Sequence, residues 1–139
     1  MPFAGWSRAA PVRKLSVYDR GVLPSELADR IRDLALSLPQ AYEDAPWGGP
    51  VFKVADNKLF AIMSVGAHAV ELTVKLTAEE REVAWLLPYV RQARYVGRYG
   101  WVTAEVTDEE TLESALEWLR ESYWLKAPAA LRDAAVRDR

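Results

Sequence analysis

The sequence predicts a single domain of the α+β class, in which a five-stranded, mostly antiparallel sheet packs against helices. Segments 24–38 and 108–126 repeat apolar residues at the spacing of a helix face. Between them lie strand-like segments whose hairpin-length connections favour antiparallel pairing. The predicted strands cover residues 51–54, 58–65, 69–75, 94–97 and 101–106, which gives the order α-β-β-β-α-β-β-α.

The first helix is predicted over residues 24–38, after an N-terminal arm or extension at residues 1–22 that shows no periodicity. Proline suits the first turn of this helix, and Pro39 cannot continue it. Trp6 and Tyr18 are candidates to anchor the arm on the domain. The apolar stripe of the helix consists of Leu27, Ile31, Leu34 and Leu38.

Two glycines between two prolines predict a rigid, non-helical loop at residues 46–50. Trp47, Gly48 and Pro50 are assigned to this structural loop, and Trp47 is expected to pack on the sheet because tryptophan buries a large apolar area. Just before it, Glu43 and Asp44 are adjacent, so in an extended chain they point to opposite sides. This favours capping of turn amides over acid–base catalysis.

The second half of the chain continues with recognisable start and stop signals. His68, the only histidine, falls in the turn before strand 69–75. Thr77 and Glu80 form a capping-box pattern that starts a helix, which Pro88 ends. The last long helix, 108–126, breaks at Pro128, and residues 129–139 can add a short frayed helix. The predicted domain therefore spans 23–131, followed by a tail at 132–139.

Composition narrows the function classes. The chain has 139 residues and no cysteine, which excludes disulfides, thiolate catalysis and cysteine metal sites. No apolar run approaches the roughly 20 residues of a membrane helix, and no signal peptide is evident, so a cytoplasmic protein is expected. His68 has no second ligand type near it in sequence, and the serines have no other histidine as partner. No metal, no cofactor and no enzymatic activity are predicted.

Charge is distributed unevenly although the net charge is only -2. Residues 87–104 carry Arg91, Arg94 and Arg98 without any acid, whereas residues 107–123 carry six acids against one arginine. One interpretation is that the acidic segment is a solvated helix beside a loop of mixed character. The other is that the two segments form opposite faces that bind different partners.

One face of the predicted sheet mixes lysines with aromatic and aliphatic residues. Such a face either stacks bases or holds a partner, or lies under a loop or the N-terminal arm. The predicted outward residues are Val51, Lys53, Lys58, Phe60, Ile62, Thr73, Lys75, Trp101 and Thr103. The candidate nucleic-acid or partner surface comprises Lys53, Lys58, Lys75, Arg91, Arg94, Arg98, Tyr99 and Trp101.

Three blocks of sequence resemble the MmcQ/YjbR-like proteins, in the order of that family and over about residues 25–131. The blocks are Trp47-Gly48-x-Pro50-x-Phe52-Lys53-Val54 with Lys58-Leu59-Phe60-Ala61, then Tyr95-Val96-Gly97-x-x-Gly100-Trp101-Val102, then Ser122-Tyr123 with Ala127-Pro128-x-x-Leu131. The resemblance implies an α+β domain whose sheet is similar to the double-wing surface of a phage transcription factor, and hence DNA binding. It implies no catalytic residue and no cofactor. The chain departs from the family pattern at Tyr99 and at Ala129-Ala130, where cations are common.

Two functions follow as hypotheses. The first is weak binding of duplex DNA, with arginines and lysines on phosphates and aromatic side chains stacking or wedging. The alternative is a module that binds a protein or a small ligand through the open sheet face and the Trp47 loop. A continuous positive surface would favour the first, and a concave aromatic pocket the second.

Overall fold

The computed structural model describes residues 22–137 of the chain. Residues 1–21 of the predicted arm, with its candidate anchors Trp6 and Tyr18, and the last two residues of the predicted tail lie outside the described residues. The helices are α1 (Pro24–Ser37), α2 (Ala78–Ala84), α3 (Glu109–Lys126) and α4 (Ala129–Arg137), with a short 3-10 helix at Gly97–Tyr99. The strands are β1 (Ala41–Asp44), β2 (Val51–Val54), β3 (Lys58–Val65), β4 (Val70–Lys75), β5 (Val90–Gln92) and β6 (Trp101–Val106).

The sheet has six strands in the order β1-β2-β3-β4-β6-β5, and every neighbouring pair is antiparallel. The predicted α+β class and antiparallel pairing are confirmed, but five strands and the predicted order are wrong. β1 carries no strand signal in the sequence, because Tyr42, Glu43 and Asp44 show no apolar alternation, and in the structure all three are exposed. Its pairing with β2 forms the additional edge strand. The strand expected at 94–97 is also wrong: β5 lies earlier, and most of 94–99 is turn and 3-10 helix.

The core lies on one face of the sheet, where α1 and α3 pack against the strands. The predicted stripe of α1 is largely confirmed, since Leu27 and Ile31 are buried and Leu34 and Leu38 pack on the core from its margin. Helix α3 is fixed by Ser122, whose hydroxyl donates to the Phe60 carbonyl at 2.6 Å and accepts from the Lys75 amide at 3.0 Å. This pair of bonds places the last turns of α3 over the start of β3 and the end of β4.

A β-bulge changes which side chains reach the core. The register between β2 and β3 shifts between Phe52 and Lys53, so that Phe60 is the extra residue of β3. Phe60 is fully buried and makes an edge contact with Tyr123, with ring centroids 5.4 Å apart. The expectation that Phe60 faces outward is therefore wrong, because strict alternation fails at a bulge. Lys58 is paired with the core residue Val54, so it lies on the helix-covered face of the sheet. The expectation that Lys58 faces outward is therefore also wrong.

The loop before β2 does not bury its tryptophan. Gly48 adopts φ +96°, a left-handed conformation that suits glycine, and its amide donates to the Ala45 carbonyl at 3.2 Å. Trp47 is nevertheless 72% exposed, so the expectation that it packs on the sheet is wrong. The local turn closes through backbone contacts and leaves the indole in solvent.

Other local predictions hold. Thr77 caps α2, accepting from the Glu80 amide at 3.2 Å while Glu80 accepts from the Thr77 amide at 3.3 Å. His68 is exposed in the connection between β3 and β4. None of the helices within residues 22–137 has the length and apolar content needed to cross a membrane.

Candidate nucleic-acid interface

Several cations meet at one end of the sheet, which we call the basic end. β3 begins at Lys58 and β4 ends at Lys75, and because these strands are antiparallel neighbours, both lysines lie at the same end. The last turn of α3 adds Lys126, one helical turn after Ser122. The Ser122 bonds to β3 and β4 bring this turn over the strand ends. The basic end thus contains a lysine group of Lys58, Lys75 and Lys126.

The lysine group is electrostatically unsatisfied. Partial burial lowers the pKa of the Lys126 ammonium below its ordinary value, and repulsion from Lys75 and Lys58 lowers it further. Within the described residues, no carboxylate forms a salt bridge with any of these three lysines. A bound anion would relieve this repulsion.

The segment between β5 and β6 extends past the same end. The Ala93 amide donates to the Trp101 carbonyl at 3.2 Å, so the connection through residues 94–99 leaves the ladder at this end. Within it, Arg94 and Val96 lie against the sheet face away from α1 and α3. Gly100, at φ +96°, ends the 3-10 helix and packs under Arg81, where a Cβ would lie 2.7 Å from its Nη1 atom. A side chain at position 100 would be strained and would collide with that guanidinium.

This segment presents an alternation of cations and aromatic rings. Arg94 and Arg98 are exposed, and Tyr95 and Tyr99 are 92% and 57% exposed. The Arg98 guanidinium lies 4.8 Å from the centre of the Tyr99 ring, a cation–π contact that leaves its charge available. Neither arginine forms a salt bridge within the part of the chain that the structure describes.

Two of the predicted cations are engaged elsewhere. Lys53 donates to Asp44 at 2.9 Å and to the Asn57 side-chain oxygen at 2.7 Å, and this contact holds the pKa of the Asp44 carboxyl below its usual value. Arg91 pairs with Glu71 at 3.1 Å. Both lie on the sheet face away from α1 and α3, where a carboxylate already balances each charge.

Trp101 lies on that same face but is only 7% exposed, and Val51 and Thr103, elsewhere on this face, are buried as well. It is therefore unavailable for stacking on a base or for insertion between base pairs. At these positions the face away from the helices is not an open surface.

The structure brings together Lys58, Lys75, Arg94, Arg98 and Tyr99 from the predicted set, and it adds Tyr95 and Lys126. Tyr95 had a signal in the sequence, because Arg94-Tyr95 repeats as Arg98-Tyr99 four residues later. Lys126 had only its place in the last turn of a helix, which is common for a cation. Its proximity to Lys75 depends on tertiary packing.

The acids that precede the Trp47 loop have structural partners. Glu43 accepts two bonds from Arg32 of α1, at 2.9 and 3.3 Å, whereas Asp44 accepts from Lys53 on the other face and from the Ala45 amide at 2.8 Å. The prediction that they point to opposite sides is confirmed, and for Asp44 so is its capping of a turn amide. Among the described residues, no group of three metal-ligating side chains converges.

Comparison with known proteins places these features in a family. The model of the YjbR family matches residues 36–125. A crystal structure of a Deinococcus radiodurans protein with a DUF419 domain is similar at a TM-score of 0.64 and 25% identity, over 83% of this chain and 88% of that one. A search of curated proteins found no match.

Proposed function

The chain belongs to the YjbR family, and from that premise we propose that it binds duplex DNA weakly and without sequence preference through its basic end. The observation that carries the proposal is the convergence of Arg94 and Arg98 with the lysine group at one end of the sheet. A cytoplasmic location is part of this proposal, because binding requires access to DNA.

Phosphate contacts supply the attraction in this proposal. Arg94, Arg98 and the lysine group offer five cations, and β3 to β5 span three strand spacings, roughly 14 Å. The exposed Tyr95 and Tyr99 rings can stack on a base or press into a groove beside the backbone. Of these five cations only Lys126 lies on an α-helix, and the others lie at strand ends and in the connection from β5 to β6, which is why sequence-independent binding is proposed.

The affinity is limited by the rest of the molecule. The net charge is -2, and the first turn of α3 carries Glu109 and Glu110. The proposal therefore assigns the non-specific attraction to the basic end. We expect dissociation constants of about 10 micromolar or weaker at physiological salt.

A salt-titrated binding assay with fluorescent duplex DNA tests the proposal. Five phosphate contacts predict a log-log slope of roughly -4.5, and Arg94→Gln with Arg98→Gln should flatten it by about two units. Arg91→Gln is the matched control, because it removes an equal charge from an arginine already paired with Glu71. The proposal is refuted if low salt gives no binding, or if Arg91→Gln weakens binding as much as either other single change.

The geometry also favours a binding role over a catalytic one. Glu43 and Asp44 are each held in a salt bridge, on opposite faces of the sheet. The single histidine is exposed between β3 and β4, where Ser64, Glu71 and Glu105 line the same cavity. Within residues 22–137 no hydrogen bond joins the imidazole to that hydroxyl or to those carboxylates, as an activated nucleophile would require.

A second candidate function is binding of a protein partner through the Trp47 loop, and the exposed indole supports it. Trp47 borders a cavity of about 480 Å³ whose floor is Val51, Ile62 and Met63. A photo-crosslinking residue at position 47 should yield one discrete adduct in cells, whereas the same residue in place of Leu86, which is 82% exposed, should not. Identical adduct patterns at both positions would refute this function.

A further inference from the structure

A second cavity lies on the sheet face away from α1 and α3, under the segment that joins β5 to β6. Its volume is about 300 Å³, at the lower end of small-molecule pockets, which hold roughly 300–1,000 Å³. At about 30 Å³ for each water-sized group, it accommodates up to about ten non-hydrogen atoms. Its walls are Ile62, Glu71, Thr73, Arg91, Ala93, Arg94, Val96 and Thr103.

Polar groups converge on one side of this cavity. The Thr73 and Thr103 hydroxyls are 2.8 Å apart and share one hydrogen bond. Two hydroxyls have two hydrogens, so one remains to donate to a ligand. Thr103 is buried, and its partner across the ladder is Arg91, which pairs with Glu71 at 3.1 Å. The hydroxyl pair is therefore fixed by the sheet.

The charges lining the cavity do not cancel. Arg91 and Glu71 neutralise each other, which leaves the guanidinium of Arg94 without a salt bridge among the described residues. A guanidinium offers parallel N–H donors that match the two oxygens of a carboxylate. Ile62, Ala93 and Val96 form the apolar remainder of the wall.

We propose that this cavity binds a small organic monocarboxylate. The carboxylate pairs with Arg94, one oxygen accepts the remaining hydroxyl hydrogen of the Thr73–Thr103 pair, and a short apolar tail packs on Ile62 and Val96. The single uncompensated charge favours a monoanion over a phosphate dianion. This proposal does not depend on DNA binding, since the ligand site exists in the chain alone.

Chemical-shift titrations with benzoate and butyrate test the proposal, and the neutral isosteres benzamide and butyramide are the matched ligands. Both carboxylates should shift the backbone amide resonances around Thr73, Thr103 and Val96 in a saturable way. Benzamide and butyramide should bind at least tenfold more weakly than the carboxylates. Inorganic phosphate at equal ionic strength should not compete.

Variants assign the site. Arg94→Gln should weaken benzoate binding at least tenfold, whereas Arg98→Gln, which makes the same charge change outside the cavity wall, should change it less than twofold. Thr103→Val should weaken binding several-fold, with folding checked by the amide spectrum. Equal binding of benzoate and benzamide, no saturation by either carboxylate, or equal losses in the two arginine variants would overturn the proposal. A DNA assay in parallel separates the two functions, because Arg98→Gln should weaken DNA binding alone.

Discussion

Two aromatic residues of the Trp47–Ala61 region differ sharply in burial. Trp47 is 72% exposed, whereas Phe60 is fully buried against Tyr123. We expect Phe60→Ala to lower the free energy of unfolding by about 3–5 kcal/mol, the usual cost of removing a buried ring. Trp47→Ala should change it by less than about 0.5 kcal/mol, as exposed substitutions do. Urea denaturation of both variants measures the difference, and similar losses would contradict the assigned exposures.

Tyr123 also gives stability a pH dependence. Burial raises the pKa of its hydroxyl above the ordinary value of 10.0, and the hydroxyl donates to the Pro39 carbonyl at 2.8 Å. The folded protein retains this proton to higher pH than the unfolded chain does. The stability that the protonated hydroxyl contributes is therefore complete below pH 10 and is lost as pH rises through the folded pKa. Wild type should therefore lose more stability than Tyr123→Phe between neutral pH and pH 11, as thermal melts would measure. Parallel losses in both proteins would contradict this.

Single residues also show how far sequence reasoning reaches. The candidates Arg94, Arg98 and Tyr99 are exposed at the basic end, and their role as a binding surface stays a prediction. Lys53 and Arg91 look equivalent to them in sequence but are paired with Asp44 and Glu71. Those partners come from other strands, so only the sheet register identifies them.

At the scale of elements, strong local signals predicted boundaries well. β2 and β3 occupy the predicted residues, and α1 and α3 each end within about one residue of expectation, because proline and capping residues mark them. β1 gave no signal, since it is a short edge strand with polar, exposed side chains, stabilised by pairing with β2. The bulge at Phe60 has the same origin, because register is a property of two strands together.

Ser122 makes the attachment of α3 testable. It is fully buried, and it both donates to the sheet and accepts from it. Ser122→Ala would leave the Phe60 carbonyl and the Lys75 amide without this partner, which should lower the free energy of unfolding by about 1–3 kcal/mol. Ser114→Ala, on a less buried position of the same helix, is the control and should cost less than about 0.5 kcal/mol. Denaturant titrations compare the two, and equal costs would show that the hydroxyl bonds contribute nothing net.

The whole molecule separates charge along the strand direction. Opposite the basic end, β4 begins and β6 ends, with Glu71 facing Glu105 across the ladder. Helix α3 begins at this acidic end and finishes at Lys126, so its 18 residues span the two ends over about 27 Å. In the sequence, the basic segment 87–104 precedes the acidic segment 107–123. In the fold, Arg94 and Arg98 of the first lie at one end of the sheet and the acids that begin α3 lie at the other.

This separation predicts how distant acids act on DNA binding. Glu110→Gln with Glu113→Gln would change the net charge from -2 to 0 without touching the basic end. The Debye length is about 8 Å at physiological ionic strength but about 30 Å at 0.01 M. The charges of Glu110 and Glu113, roughly 20–24 Å from Lys126 along the helix, are therefore screened in the first condition only. The double variant should therefore bind duplex DNA as wild type does at physiological salt and more tightly at 0.01 M. Lys126→Gln, a change at the contact itself, should weaken binding under both conditions. Fluorescence anisotropy at the two salt concentrations compares the variants, and an equal gain by the double variant at both would place DNA near the start of α3 instead.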